Sequence, residues 1–203
     1  MQVRKAVITA AGRGTRQFPA TRIVQKELLP VVDVDGVTRP AIQIIVAEAL
    51  AAGVEQVGIV VRPGSDQQFW AHFRPLDEDE RRLFTNKDWA LREGRVLANM
   101  SQRIEYIYQK SPEGYGHAVY CAREWVGDDP FLLMLGDHLY LSATQKPCAA
   151  QVIRAAIKHN CNLSAMAVTP ASQLHLFGTA RGKPLGPRLY QVELLVEKPS
   201  PEV

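Results

Sequence analysis

The chain has 203 residues, 46% of them hydrophobic, with 24 basic and 21 acidic side chains and a formal net charge of +3. That length suits one large α/β domain or two small ones, and the apolar content supports a substantial core, which excludes a disordered or low-complexity chain. The charges are interspersed, whereas a nucleic-acid binder gathers basic residues on one face, so the expected ligands are small anions and not nucleic acid.

Strand-like and helix-like runs alternate. Val3 to Thr9 is short and rich in β-branched residues and ends at a glycine turn, which predicts a strand. Pro40 to Ala52 predicts a helix from the helical spacing of Ile42, Ile45, Val46, Ala49 and Leu50, with Thr38 near its start as a cap, Pro40 in its first turn and Gly53 closing it. Gln56 to Val61 is apolar almost throughout, as a strand buried on both faces should be. Ser65 to Phe73 predicts a short helix, and the charged stretch Pro75 to Gln102 a partly exposed helical insertion. Arg103 to Tyr108 predicts a third strand, Tyr115 to Val126 a helix and Phe131 to Leu135 a fourth, fully buried strand. Lys146 to His159 predicts a helix with Pro147 in its first turn, Asn162 to Val168 a fifth strand, and Leu189 to Val196 a last one. This order implies an α/β fold, three-layered, with a mostly parallel Rossmann-like sheet between helices. With no repeat or linker in view, a single domain over residues 1–203 is expected.

In such sheets the ligand lies beyond the carboxyl ends of the strands, which directs attention to the loops after Thr9, Tyr108, Leu135 and Val196. The first loop reads Ala10-Ala11-Gly12-Arg13-Gly14-Thr15-Arg16, then Pro19, Thr21, Lys26 and Leu28-Leu29-Pro30. Gly12 and Gly14 let backbone amides approach a nucleotide, and Arg16 and Lys26 can meet polyphosphate charge. A dinucleotide fingerprint fails because position 17 is Gln, and no P-loop frame is present. Gln109 ends the third strand and carries both a donor and an acceptor, enough to read a uracil or thymine edge. A Pro112-Glu113-Gly114-Tyr115-Gly116-His117 segment follows it; His117 opens a helix and suits capping or packing better than general-base work. Asp137, after Gly136 at the end of the fourth strand, is placed to bind a hard cation such as Mg²⁺. Taken singly, each is also an ordinary turn, strand end or surface ion pair.

Taken together, the segments from Lys5 to Pro199 resemble the sugar nucleotidyltransferase family, whose first loop has Gly-x-Gly-Thr-Arg, then Pro, then Lys before Leu-Pro. The run Lys26-Glu27-Leu28-Leu29-Pro30-Val31-Val32-Asp33 is most similar to its bacterial uridylyl-transferring branch. The resemblance implies that Ala11 and Gly12 hold the base, with Gly14 in the same nucleotide-binding loop, that Gln109 and Gly114 also meet the base, and that Arg16 and Lys26 grip the phosphates. It implies Asp137 as a ligand of Mg²⁺. Val196-Glu197-Lys198-Pro199 matches the family's Glu-Lys-Pro signature, with Glu197 on sugar hydroxyls and Lys198 on the sugar phosphate. Phe177-Gly178 is similar to its Tyr-Gly, whose glycine leaves room for a hexose. The implied substrates are a nucleoside triphosphate, UTP in the first place, and a hexose 1-phosphate.

The pattern also breaks. Relatives hold the metal between two aspartates, and this chain has no Asp after Asp137 and ends four residues beyond Pro199. The expectation is a catalytic domain truncated after Glu-Lys-Pro, lacking segments that often carry homo-oligomer contacts, and binding nucleotide more readily than it turns over. His138 also departs from the small or acidic residue of many relatives. The rival readings are a thymidylyl-, guanylyl- or adenylyltransferase of the same family and a non-catalytic nucleotide-binding relative. Cys121, Cys148 and Cys161 are widely spaced and form no CxxC pair, which argues against zinc and suits a reducing cytoplasm. No apolar run approaches the ~18–20 residues that span a membrane.

Overall fold

The computed structural model of the protein describes residues 2–199. The chain divides into two compact units, Met1–Leu163 and Ser164–Val203.

The first unit is built on a four-stranded parallel sheet. Its strands are β1 (Lys5–Thr9), β4 (Gln56–Val61), β5 (Ile104–Tyr108) and β6 (Phe131–Leu135), in the order β5-β4-β1-β6. β2 (Pro30–Val32) and β3 (Thr38–Pro40) pair separately as a small antiparallel hairpin. The helices of this unit are α1 (Ala41–Ala51), α2 (Asp66–Phe73), α3 (Glu78–Leu83), α4 (Asp88–Ser101), α5 (Tyr115–Cys121), α6 (Arg123–Val126) and α7 (Cys148–His159). Among the described residues no helix is long and apolar enough to cross a membrane.

Alternation along the strands sorts the core into two faces. Ala6 and Ile8 of β1, with Val57, Ile59 and Val61 of β4, join Ile42, Ile45, Val46 and Ala49 of α1 and the buried Phe69 and Phe73 of α2. Each of those phenylalanines contributes about 2 kcal/mol by burial. Val7 and Val60 point the other way, onto Ala118 of α5, Val126 of α6 and Ala122 between the two helices. Gly58 is needed on that second face, because a Cβ there would lie 2.7 Å from Ile107 and 3.0 Å from the Trp125 ring.

The chain runs outward from β1 through β4 to β5 and then crosses back to place β6 on the other side of β1. Strand order therefore reverses between β1 and β6, the place where loops part and a ligand crevice opens in such sheets. A polar network braces the hairpin that follows the first loop. Arg39 of β3 bonds Asp33 at 2.8 Å and Glu93 of α4 at 2.6 Å; the Gln43 amide donates to Glu93 at 3.1 Å, and its carbonyl accepts from His72 Nε2 at 3.1 Å.

Several expected elements are corrected. Asn162 to Val168 forms no strand; it is largely exposed, and its backbone pairs with nothing, which a strand cannot survive. β6 is an edge strand, not a fully buried one: Leu132 and Met134 face the core, while Phe131 and Leu133 stay 37% and 39% exposed. Thr38 caps nothing because it pairs with Val32 in the hairpin, and Pro40 stands at the N-cap of α1 rather than in its first turn. Pro147 likewise precedes α7 as its N-cap. The expected Tyr115 to Val126 helix is interrupted at Ala122.

The second unit is an antiparallel hairpin of β7 (Gly178–Gly186) and β8 (Leu189–Glu197), preceded by a 3-10 turn over Ala171–Leu176. β8 was expected; β7 was not, because its glycines and prolines read as loop.

Candidate functional site

The carboxyl ends of β1 and β6 carry the densest chemistry in the first unit. Beyond β1 the backbone stays tied to the sheet, with the Ala10 N–H donating to the Val60 carbonyl at 2.8 Å. Gly14 then turns with φ of 61°, and a Cβ there would sit 2.7 Å from the Thr21 methyl. Thr21 Oγ1 donates to the Gly14 carbonyl at 3.0 Å, which fixes the loop's width. Gly12 lies over the Lys26 side chain: a Cβ would meet Lys26 Cε at 3.4 Å. The loop's missing side chains thus expose backbone on one side and admit a lysine on the other.

Lys26 opens a 3-10 turn over Lys26–Leu28. Its Nζ lies 2.6 Å from Asp137 Oδ2 and 3.2 Å from Glu27 Oε1, so one ammonium serves two carboxylates. Burial pulls the Lys26 pKa down, but the Asp137 hydrogen bond and both negative charges outweigh it and the net shift is upward. For Asp137, burial is the largest influence and pushes the pKa up, but the Lys26 hydrogen bond, the charges of Lys26 and His138 and a backbone hydrogen bond together outweigh it, leaving the carboxyl below its ordinary value. Asp137 follows Gly136, whose N–H donates to the Thr9 carbonyl at 3.0 Å, so the end of β6 is clamped to the end of β1.

Glu27 was passed over in the sequence, where a charged residue beside a motif lysine reads as solvated surface. It is fully buried, and neither carboxylate oxygen has a hydrogen-bond partner; the Lys26 ammonium is near but off the bonding direction. Burial pushes its pKa up to about 7, against the opposing pull of Lys26. The sign of the linkage follows. Between the unfolded value of 4.5 and about 7 the folded chain keeps a proton that the unfolded chain releases. This stability is fully present below the unfolded pKa and is lost as pH rises through about 7. Glu27→Gln should therefore gain on the wild type by something on the order of 3 kcal/mol between pH 5 and 8. Urea denaturation of both proteins across that range checks it, and parallel pH profiles would exclude the effect.

Two strands from β1, beyond β4, Gln109 continues β5, its N–H donating to the Val61 carbonyl at 2.9 Å. Its side chain is buried, and Nε2 donates to the Gly114 carbonyl at 3.0 Å. Gly114 turns with φ of 100° at the N-cap of α5. His117 Nδ1 is 3.0 Å from the Ser111 carbonyl and 3.3 Å from Gln109 Nε2, and Nε2 faces Cys121 Sγ at 3.7 Å. Both ring nitrogens are engaged within the protein, which suits packing. The sequence reading also passed over Arg62, which follows β4 and whose Nε is buried without a partner.

Arg16 and Ala11 lie in the same first loop, Arg16 exposed and, among the described residues, in no ion pair. In the second unit, the two motif segments meet. Gly178 pairs in register with Glu197, and a Cβ on Gly178 would lie 2.9 Å from Glu197 Oε2. The Lys198 N–H donates to the Phe177 carbonyl at 3.1 Å, its backbone is left-handed with φ of 47°, and its Nζ is 3.8 Å from Glu197 Oε1. A lysine held in that conformation carries backbone strain of about 1 kcal/mol or more. Among the described residues no cluster of three or more His, Cys, Asp or Glu side chains gathers as a ready metal cage.

A family model described as nucleotidyl transferase matches residues 5–203. The chain is 39% identical over 198 residues to a UTP–glucose-1-phosphate uridylyltransferase of Bacillus subtilis (strain 168), covering 98% of this chain and 65% of that protein. It is 37% identical over 202 residues to the same organism's UTP–glucose-1-phosphate uridylyltransferase YngB, covering 99% of this chain and 65% of the relative. The chain thus spans about 65% of the length of these curated relatives. A crystal structure of UDP-glucose pyrophosphorylase complexed with UDP-glucose superposes with a TM-score of 0.83 at 28% identity, over 99% of this chain and 71% of that one. The UDP-glucose pyrophosphorylase of Acinetobacter baumannii gives a TM-score of 0.78 at 28% identity, over 100% and 70%.

Proposed function

The chain belongs to the nucleotidyl transferase family, and from that premise we propose that it transfers a uridylyl group from UTP to glucose 1-phosphate, releasing pyrophosphate. The observation that carries this reading is the meeting of the glycine loop, Lys26 and Asp137 where strand order reverses, with Gln109 two strands from β1 at the same end of the sheet. A phosphate oxygen of the sugar 1-phosphate attacks the α-phosphorus, the bond to the bridging oxygen breaks, and pyrophosphate leaves with that electron pair. Such a transfer asks the protein for position and opposite charge, not for a nucleophilic side chain.

Lys26 and Arg16 supply positive charge to the triphosphate, Ala11 and Gly12 hold the base, and Gly14 shapes the loop between them. Gln109 uses Nε2 to hold the Gly114 carbonyl, which leaves its carbonyl oxygen to accept from the imide N–H of uracil; Gly114 lies against the base. Glu197 and Lys198 serve the sugar hydroxyls and the sugar phosphate, with Gly178 leaving room beside Glu197. These sugar roles rest on the motif and on the grouping within the second unit.

Asp137 fits a Mg²⁺ ion. Its carboxylate is one-third exposed at the crevice, and Mg²⁺ commonly takes one or two carboxylates and completes its shell with water and substrate phosphate. When bound, the ion would neutralise charge on the triphosphate. Residues 1–203 we take as part of one catalytic domain. We place the activity in the cytoplasm, where the three free cysteines stay reduced.

The test is pyrophosphate release over UTP, dTTP, GTP, ATP and CTP, each with glucose 1-phosphate and other hexose 1-phosphates in Mg²⁺. UTP with glucose 1-phosphate should lead, with dTTP nearest because thymine presents the same edge. GTP or ATP ahead of UTP would overturn the assignment of Gln109. Binding of UTP without any turnover, across the panel, would favour the non-catalytic reading.

A further inference from the structure

The arrangement of Glu27, Lys26 and Asp137 holds more than the proposed function uses. Lys26 stands between two unequal carboxylates. Asp137 is 33% exposed at the mouth of the crevice, where a cation can reach it; Glu27 is 0% exposed, where nothing from solvent can. Glu27 is also packed in by design of the sequence around it. The carbon chain of Glu27 fills the space left by the absent Gly136 side chain, which would otherwise stand 3.0 Å from Glu27 Cγ. A buried carboxylate with both oxygens lacking hydrogen bonds is a costly arrangement. A glutamine or leucine would serve the core better, so the charge calls for an explanation beyond stability.

We propose that Glu27 is a positioning residue for Lys26: the fixed counter-charge that keeps the ammonium in the crevice and lets it release Asp137 when a divalent cation arrives. The proposal rests on the assignment of Asp137 to the cation. With Glu27 ionised, as it is above about pH 7, two carboxylates and one ammonium sum to −1, and a divalent cation turns the set to +1, facing a polyanionic triphosphate. Lys26 then has Glu27 to stay with while Asp137 turns to the cation. With a neutral residue at position 27 the set is zero and Lys26 has Asp137 alone. A cation must then break a closed ion pair to enter, and an ammonium that loses Asp137 is left without a protein counter-charge.

The probe is Mn²⁺, titrated into the protein at pH 8 with UTP present and followed by electron paramagnetic resonance, alongside thermal unfolding. Glu27→Gln should weaken Mn²⁺ binding roughly tenfold, the size of effect found when a partner behind a metal ligand is removed. At that pH its melting temperature should be higher, because a buried charge has gone. Glu27→Asp, which keeps the charge, should recover part of the affinity, and Glu27→Leu should not. A purely structural Glu27 would move unfolding and leave Mn²⁺ affinity alone. Wild-type and Glu27→Gln proteins that bind Mn²⁺ equally well overturn this proposal and spare the function. A wild-type protein that binds no Mn²⁺ in the presence of UTP overturns the assignment of Asp137, and the proposal with it.

Discussion

Replacing Asp137 with alanine is expected to lower the rate of pyrophosphate release about a thousandfold while barely moving the melting temperature. The two halves of that expectation come from different features. Asp137 stands at the crevice between β1 and β6, where a hard cation and the triphosphate would share it, so its loss removes charge neutralisation at the reacting groups. Its part in the fold is small. Among the described residues its side chain bonds only Lys26, it is one-third exposed, and Lys26 keeps Glu27 at 3.2 Å when Asp137 is gone. Partly exposed pairs of this kind contribute about 1 kcal/mol or less. Turnover at saturating Mg²⁺ and thermal unfolding separate the two. Near-normal turnover in Mg²⁺ would show that the cation, if any, is held elsewhere.

Gly136→Ala should do the reverse, harming fold and activity together. The added Cβ would lie 2.7 Å from the Thr9 carbonyl oxygen, the same atom that accepts the Gly136 N–H, and 3.0 Å from Glu27 Cγ. Thr9 O belongs to a paired backbone and cannot swing aside as a side-chain tip would, so the end of β6 must lift away from β1. Overpacking of this kind costs about 3 kcal/mol. Lifting the strand end also displaces Asp137, and a misplacement near 1 Å lowers turnover about a hundredfold. Urea denaturation and kcat measured on the same preparation check both. Lost stability with unchanged kcat would show that the clash is absorbed without moving Asp137.

Much of the first unit could be read from its residues because it repeats. α1 repeats its apolar side chains at the helical period, and β1 and β4 repeat the same short unbroken apolar run, the mark of strands covered on both faces. The pieces that escaped have no period to show. β2 and β3 are three residues each, and β7 contains Gly178, Gly182, Pro184 and Gly186, so its strand character comes from pairing with β8 rather than from its composition. Asn162 to Val168 shows the opposite error: an apolar run suggests a strand, but only a neighbour can make it one. At the candidate site, Gln109, Gly114, Lys26 and Asp137 were legible because their order along the chain follows a known pattern, and the structure gathers Lys26 with Asp137 and Gln109 with Gly114. Glu27 was not legible. Whether a carboxylate is buried depends on Gly136, which is 109 positions away in sequence, and no local pattern reports it.

The β7–β8 hairpin behaves as a ruler with one worn end and one exact end. Its register slips between Arg181 and Gly182 and again between Pro184 and Gly186, toward the turn, while the four pairs from Gly178↔Glu197 to Arg181↔Leu194 run without interruption. Side chains alternate faces along a strand, so a shift of one residue in that uninterrupted stretch would turn Glu197 to the opposite face and set a bulkier neighbour against it. Near the turn, the irregularities can take up an added or lost residue without passing it on. Drift in length should therefore accumulate at the tip among descendants of this sequence, leaving the spacing from Phe177 to Arg181 and from Leu194 to Lys198 untouched.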